Sequence, residues 1–143
     1  MPAQDNKALV RQYFEEVRNQ HRREAAGALF AADVAVHVDT PTGPETVHGI
    51  RGILETLAPY LAAFPDLHFT IADQLAEADR VMTRWQAVGT HQGPLMGHAA
   101  TGRRVTFGGI DVFRVANGRI TEGWTSYDRL VILQQIGAVS RPQ

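Results

Sequence analysis

The sequence predicts a single α+β domain in which helices come first and a mostly antiparallel sheet follows. Apolar residues recur at helical spacing over residues 5–20 and 49–63. Long runs of alternating apolar and polar residues then extend from residue 67 to residue 127, and the turn Asn117-Gly118 inside them is the strongest hairpin signal. This order of elements predicts helices packed against one curved face of the sheet.

Composition restricts the function class. The 143 residues suffice for one sizeable core, and 44% hydrophobic residues, 20% charged residues and a net charge of -1 are typical of a soluble globular protein. Basic residues form no run of the kind that follows phosphates, so we expect no nucleic-acid partner. The absence of cysteine excludes a disulfide framework and a thiolate nucleophile. With no signal peptide or long apolar run, the expected location is cytoplasmic, without a membrane partner.

The first half of the chain predicts three helices and one short strand. Residues 5–20 form the first helix, with Asp5 or Asn6 as its cap, and residues 23–30 form the second. Residues 34–38 alternate as a short strand, and the Pro- and Gly-rich residues 39–49 predict a loop.

The third helix and the sheet complete the domain. The third helix covers residues 49–63 and ends before Pro65, and we expect Pro59 to kink or divide it. A short C-terminal helix, capped by Asp128, ends at Gly137. Four strands are predicted between these helices, over residues 67–76, 80–89, 105–115 and 119–127.

Asp111 is the unusual residue of the predicted hairpin. It shares one strand face with Gly109 and Phe113, so that face carries a carboxyl group beside an aromatic ring. If the face lines a cavity, burial favours a neutral, hydrogen-bond-donating carboxylic acid. The alternatives are an exposed carboxylate, or one paired with Arg84 or Arg114.

Several other side chains allow two interpretations. Trp85 and Trp124 lie mid-strand, where either core packing or a ligand-stacking wall fits. Tyr13 belongs to the apolar stripe of the first helix and fits either a pocket or ordinary packing. His91 precedes a Gly-Pro loop and fits a pocket rim or a solvated turn. The histidines show no tight ligand spacing, so we expect no metal.

Five segments in this order resemble the SnoaL-like polyketide cyclase family, within the nuclear transport factor 2-like α+β cone. They are NKALVRQYFEEV, AFPDLHFTI, RWQAVGTHQGPLMG, TGRRVTFGGIDVFRVANGRI and WTSYDRLVILQQIG. The resemblance covers nearly the whole chain. It implies three helices on a curved sheet, a short C-terminal helix and an apolar pocket.

The resemblance also implies a chemistry, namely intramolecular aldol ring closure without cofactor or metal. The family's acid-base aspartate falls at Thr125 and a nearby family histidine at Gly123. A threonine hydroxyl cannot act as a carboxylate base near neutral pH. The triad positions of limonene epoxide hydrolases, which share the cone, fall at Ala87, Trp85 and Thr125, so that hydrolysis is not predicted.

Ketosteroid isomerases share the same cone, and two segments are similar to theirs. RQYFEEV places Tyr13 and IDVFRV places Asp111 where those enzymes hold an enolate oxygen between two neutral donors. The isomerase base falls near Val38 or Asp39, so Asp39 is the base candidate, and His37, two residues earlier on the same face, is the second choice.

We therefore expect a cyclase-like enzyme that abstracts a proton and stabilises an enolate of an aromatic or polyketide-like carbonyl compound. The alternatives are a non-catalytic binding module and a cofactor-independent hydroxylase. A homodimer is expected through the outer sheet face, around Arg84, Gln86, Thr121 and Glu122. The predicted substrate-binding residues are Trp85, Trp124, His91, Phe113, Tyr60 and Thr125.

Overall fold

A six-stranded curved sheet with helices on one face forms the fold of the computed structural model, which describes residues 2–140. This confirms the predicted α+β class. The helices are α1 (Ala3–Gln12), continued by a π-helical segment (Tyr13–Asn19), a 3-10 turn (Arg23–Ala25), α2 (Ala26–Leu29), α3 (Gly49–Ala63) and α4 (Arg129–Gln135). The strands are β1 (Phe30–Thr40), β2 (Gly43–His48), β3 (His68–Glu77), β4 (Arg80–Thr90), β5 (Arg104–Ala116) and β6 (Arg119–Tyr127).

The strand order is β2-β1-β6-β5-β4-β3. Strands β3 to β6 form the predicted antiparallel meander, and β1 joins it in parallel with β6. The hairpin between β5 and β6 turns at Asn117 and Gly118, both with positive φ, as the Asn-Gly signal predicts. Within residues 2–140, no helix has the length and apolar composition needed to cross a bilayer.

The region before α3 differs from the prediction. Residues 39–49 were expected to form a loop, but β2 pairs antiparallel with β1 across most of this segment. β1 is also longer than the predicted residues 34–38, because both of its edges are paired. The second helix is reduced to the 3-10 turn and α2, and Phe30 already belongs to β1.

Pro59 neither divides nor ends its helix. α3 continues across it to Ala63, where Pro65 follows as predicted. At the other end of the chain, Asp128 accepts a hydrogen bond from the Val131 amide at 3.0 Å, which confirms the predicted cap of α4. Gly137 takes positive φ after that helix, also as predicted.

The sheet has an inner and an outer face, and alternation along each strand decides which residues belong to which. In β4, Val81, Thr83 and Trp85 are buried on the inner face, while Met82 and Arg84 point outward and are exposed. The helices cover the inner face, so the core lies between them and the sheet.

The outer face remains the interface that we propose for a homodimer. Leu75, Met82 and Ile110 are 62%, 37% and 42% exposed there. Exposed apolar residues grouped on one face are typical of an interaction surface. Arg84 and Gln86 lie on this face as predicted, whereas Thr121 is at a bulge in the β5–β6 pairing.

Ile110→Asp should therefore convert a dimer into a monomer, because it places a charge in the apolar patch. Sedimentation at micromolar concentration measures the change. Leu130→Asp is the matched control, since Leu130 is 53% exposed but lies on α4, outside the patch. A wild-type chain that sediments as a monomer contradicts the proposal.

Candidate functional site

A mostly apolar cavity lies between the inner face of the sheet and the covering helices. Its walls are mostly aromatic and aliphatic, with a few hydroxyl groups and one guanidinium. The lining residues are Tyr13, Arg18, Phe30, Val36, Val38, Val47, Ile53, Thr56, Leu57, Tyr60, Phe69, Trp85, Phe107, Phe113, Thr125 and Tyr127. The cavity volume is about 90 Å³. Because one water needs roughly 10–15 Å³, the cavity holds several water-sized groups and suits a compact ligand.

Two inner-face glycines give the aromatic walls their space. A Cβ atom on Gly109 would lie 2.5 Å from Cζ2 of Trp85, and one on Gly123 would lie 2.6 Å from the ring of Phe113. Trp85 and Phe113 can therefore lie against the sheet, where both line the cavity. Any side chain at either glycine would displace a wall of the site.

The π-helical segment determines how Tyr13 and Arg18 face the cavity together. The two residues are five apart, and in an α-helix of 3.6 residues per turn they would diverge by about 140°. The wider π turn brings them to one side, and Arg18 Nε donates a hydrogen bond to Tyr13 Oη at 3.1 Å. π-Helical turns are rare and occur frequently at functional sites.

Arg18 is a buried cation, only 7% exposed. Its Cζ lies 4.3 Å from the ring centre of Phe14 and 5.1 Å from that of Phe69. Its Nη1 lies 3.0 Å from Oδ2 of Asp111. Burial works against the charged guanidinium, but the Asp111 carboxylate and then Tyr13 outweigh that effect and raise the pKa of Arg18.

Asp111 is fully buried and forms the ion pair with Arg18 rather than with Arg84 or Arg114. Its neighbours across the sheet are Thr83 and Thr125. Asp111 is not among the residues that line the cavity, because the guanidinium lies between. The structure therefore corrects the predicted placement of Asp111: it stands behind Arg18 as a counter-ion, and not at the surface of the cavity.

His37 and Asp39, the two base candidates, face away from the cavity. Val36 and Val38 line it, so alternation along β1 turns their odd-numbered neighbours to the other side. The His37 ring nitrogens contact Thr46 Oγ1 at 2.9 Å and Glu122 Oε2 at 2.8 Å. Asp39 is exposed. Neither residue is placed where it could remove a proton from a ligand in the cavity.

The two tryptophans are separated by the sheet. Trp85 is 3% exposed and lines the cavity, whereas Trp124 lies on the outer face. There its ring centre is 5.5 Å from that of His37 and 5.0 Å from Cζ of Arg80. The prediction that both form a ligand wall thus places Trp124 on the wrong face, because Trp124 alternates along β6 with the inward-facing residues 123, 125 and 127.

His91 is fully buried but does not line the cavity. Its Nδ1 accepts a hydrogen bond from the Thr101 amide at 3.2 Å, so the neutral ring carries its proton on Nε2. The backbone of His91 also bonds to residues 102 and 103. His91 therefore holds the loop after β4, and its predicted rim position is not observed.

The structure adds two residues that the sequence did not single out. The sequence pattern does not indicate Arg18 as a site residue, because two residues five apart do not share one face of an α-helix. Tyr127 follows Thr125 at the inward-facing period of β6, which was a usable signal. The Tyr127 hydroxyl lies 2.5 Å from that of Tyr60. Of the predicted substrate-binding residues, Phe113, Tyr60 and Thr125 line the cavity.

Comparison with known proteins decides the family. The sequence model of the SnoaL-like polyketide cyclases matches residues 8–136. The chain belongs to the SnoaL-like polyketide cyclase family. A similar solved structure is that of IdmH from Streptomyces antibioticus, a proposed polyketide cyclase, whose sequence is 30% identical to this chain. The two structures match with a TM-score of 0.80, over 92% of this chain and 98% of IdmH. A comparison with curated protein sequences finds no match.

Two further SnoaL-like structures are similar in fold. A proposed SnoaL-like polyketide cyclase from Jannaschia sp. CCS1 is 21% identical, with a TM-score of 0.86 over 99% of this chain and 97% of its own. AclR of Streptomyces galilaeus, a proposed hydroxylase, is 23% identical with the same TM-score, over 99% of this chain and 87% of its own. These likenesses confirm the predicted cone.

This SnoaL-like chain presents hydrogen-bond donors to its cavity rather than bases. Among residues 2–140, the lining contains no carboxylate and no imidazole. The same part of the chain brings no three His, Cys, Asp or Glu side chains together in a metal-binding arrangement. The cavity can therefore hold an oxygen atom of a ligand and stabilise negative charge on it.

Asp111→Ala should lower the free energy of unfolding by about 3–5 kcal/mol, because it leaves the buried Arg18 charge unpaired. Urea denaturation measures the change. Asp73→Ala is the matched control, since Asp73 pairs with Arg84 at the exposed surface and such a pair contributes at most about 1 kcal/mol. Equal losses for both variants would contradict the buried ion pair.

Tyr127 should ionise at a higher pH than an ordinary phenol. Burial raises its pKa above the ordinary 10.0, and the neighbouring Tyr60 adds to the rise. The unfolded chain ionises first, so the contribution to stability is complete below a pH of about 10 and is lost as the pH rises through the folded pKa.

Tyrosinate absorbance during an alkaline titration tests this assignment. The protein has three tyrosines, and Tyr127→Phe should remove the step that occurs at the highest pH. Loss of a step near the ordinary pKa instead would show that Tyr127 is not the shielded group.

Proposed function

We propose that this chain is a polyketide cyclase-like enzyme that stabilises an enolate oxygen with the Tyr13 hydroxyl, supported by Arg18. The observation that carries the proposal is the hydrogen bond from Arg18 Nε to Tyr13 Oη inside an apolar cavity. It differs from the pairing expected from the sequence, because Asp111 acts through Arg18 instead of touching the ligand.

The direction of that hydrogen bond determines what Tyr13 can do. The guanidinium can only donate, so Tyr13 Oη accepts from it, and the Tyr13 hydrogen itself has no acceptor among residues 2–140. A charged donor on the phenol oxygen polarises the O–H group and strengthens the bond that it donates. The Tyr13 hydroxyl can therefore donate a hydrogen bond to a carbonyl or enolate oxygen in the cavity.

The proposed reaction is an intramolecular aldol closure. An enol carbon of the substrate attacks a carbonyl carbon of the same molecule, and one carbon–carbon bond forms. The carbonyl π electrons move to oxygen, which takes up the proton that the enol releases, so the step is redox-neutral. The enzyme contributes the folded conformation of the substrate in a compact cavity and a donor at the oxygen where charge develops.

Proton abstraction relies on the acidity of the substrate in this scheme. Thr125, where the family's aspartate falls, lines the cavity but offers only a hydroxyl. A polyketide methylene group between two carbonyls is acidic enough to lose its proton to solvent water. Tyr13 stabilises the enolate oxygen that results, and the proton returns to the new hydroxyl oxygen of the product. In this scheme the substrate supplies the acidic proton and the enzyme supplies the hydrogen-bond donor. Such a scheme fits a cavity whose lining, over residues 2–140, contains donors and no carboxylate.

The same observation favours a second candidate, a binding module without catalysis. A cavity with donors and no lining base suits the retention of an oxygenated ligand as well as its conversion. Turnover separates the two functions. Ligand affinity without ring closure would favour the binding module.

Tyr13→Phe should lower the rate of ring closure of a synthetic poly-β-ketone ester by about 10²-fold to 10³-fold, as expected for loss of one oxyanion donor. Chromatography with mass detection follows the cyclic product. Thr56→Val is the matched control, because the Thr56 hydroxyl on the cavity wall is bonded to the Gly52 carbonyl at 2.9 Å. An unchanged rate for Tyr13→Phe would refute the assigned role.

A further inference from the structure

The cavity has a second polar position that the proposed function does not use. Tyr60 projects from α3 and Tyr127 from the end of β6, and their hydroxyl oxygens lie 2.5 Å apart. Both residues line the cavity. Their rings meet edge to face, with centres 5.6 Å apart, which keeps the two hydroxyls together.

Hydrogen counting shows that this pair can still bind a ligand. Two hydroxyls carry two hydrogens, and the bond between them uses one. The second hydrogen has no acceptor among the residues that the structure describes. Whichever hydroxyl donates within the pair, one O–H group remains free for an oxygen atom of a ligand.

Tyr127 stays neutral over the physiological range. Burial raises the pKa of Tyr127 and Tyr60 adds to that rise, while the Arg129 guanidinium partly offsets it. Arg129 lies beside the pair as a donor, with its Cζ 4.7 Å from the ring centre of Tyr127 and its Nη1 bonded to the Asp39 carbonyl at 2.7 Å. This contact fixes the ring of Tyr127 against the end of β1.

An apolar span separates this pair from Tyr13 and Arg18. The Trp85 ring lies between the two polar positions, 5.5 Å from Cζ of Arg18 and 6.5 Å from the ring centre of Tyr127. In the sheet register Tyr127 pairs with Gly109, whereas the partner of Arg18 is Asp111, two residues further along β5. Two strand residues correspond to about 7 Å.

We propose that the Tyr60–Tyr127 pair is a second oxygen-binding position, which selects flat aromatic or enolised ligands with oxygen atoms at two opposite ends. One end of the ligand binds Tyr13, the ring system lies along Trp85, and the other end accepts the free hydroxyl hydrogen of the pair. This inference rests on the proposed function for its first contact. It makes Tyr60 and Tyr127 residues that determine specificity.

Three two-ring probes of similar shape test the second contact by titration calorimetry. They are 2,6-dihydroxynaphthalene, 6-methoxy-2-naphthol and 6-methyl-2-naphthol. The first two carry an oxygen at the far end and the third carries a methyl group there. We expect wild-type protein to bind the two oxygenated probes about 2-fold to 10-fold more tightly than the methyl probe, the net effect of one hydrogen bond.

The double variant Tyr60→Phe/Tyr127→Phe removes both hydroxyls and should abolish this preference. Thr106→Val should keep the preference, since Thr106 is exposed on β5 and does not line the cavity. Equal wild-type affinity for all three probes would overturn the proposal, and so would a preference that persists in the folded double variant. The wild-type comparison alone decides the matter if the double variant does not fold.

Tyr13→Phe distinguishes failure of this inference from failure of the proposed function. It should weaken all three probes by a similar factor and leave their order unchanged. Absence of ring closure by the wild-type protein, together with a retained preference for oxygenated probes, would reject the proposed catalysis and support the second contact. Loss of the preference with intact ring closure would reject the second contact alone.

Discussion

The buried ion pair between Arg18 and Asp111 is the interaction on which the site depends. Removing two charges from water costs several kcal/mol each, and the protein recovers that cost only through close pairing and additional contacts. Arg18 finds these contacts in the Asp111 carboxylate, the Tyr13 oxygen and the surrounding aromatic rings. Neither charge is stable there without the other, so the first helix and the hairpin are fixed relative to each other.

The pair also explains the local shape of the first helix. A regular α-helix would direct Tyr13 and Arg18 to different sides, and the π-helical segment brings both to the cavity. The hydrogen bond from Arg18 then orients the phenol. An electrostatic requirement in the core and an unusual helical turn thus produce one arrangement, in which the Tyr13 hydroxyl faces the cavity and the Arg18–Asp111 ion pair lies behind it.

The charges of the site lie behind the wall of the cavity. Thr125 lines the cavity, and in the sheet it pairs directly with Asp111. The carboxylate one strand away from Thr125 is therefore paired with Arg18. The cavity itself has mostly apolar walls, with the hydroxyls of Tyr13, Tyr60 and Tyr127 among its lining groups.

The sequence by itself determined the fold class, the hairpin, α3 with its stop at Pro65, the cap at Asp128 and the alternation along β4 to β6, because these follow from local periodicity and turn chemistry. Only the tertiary structure decided that β2 pairs with β1, that His37 and Asp39 face outward, and that Arg18 meets Asp111. Alternation separates two faces of a strand without saying which one is interior. Which face is interior depends on how the sheet curves around the helices and buries one of its faces. The pairing of residues far apart in sequence depends on the same packing.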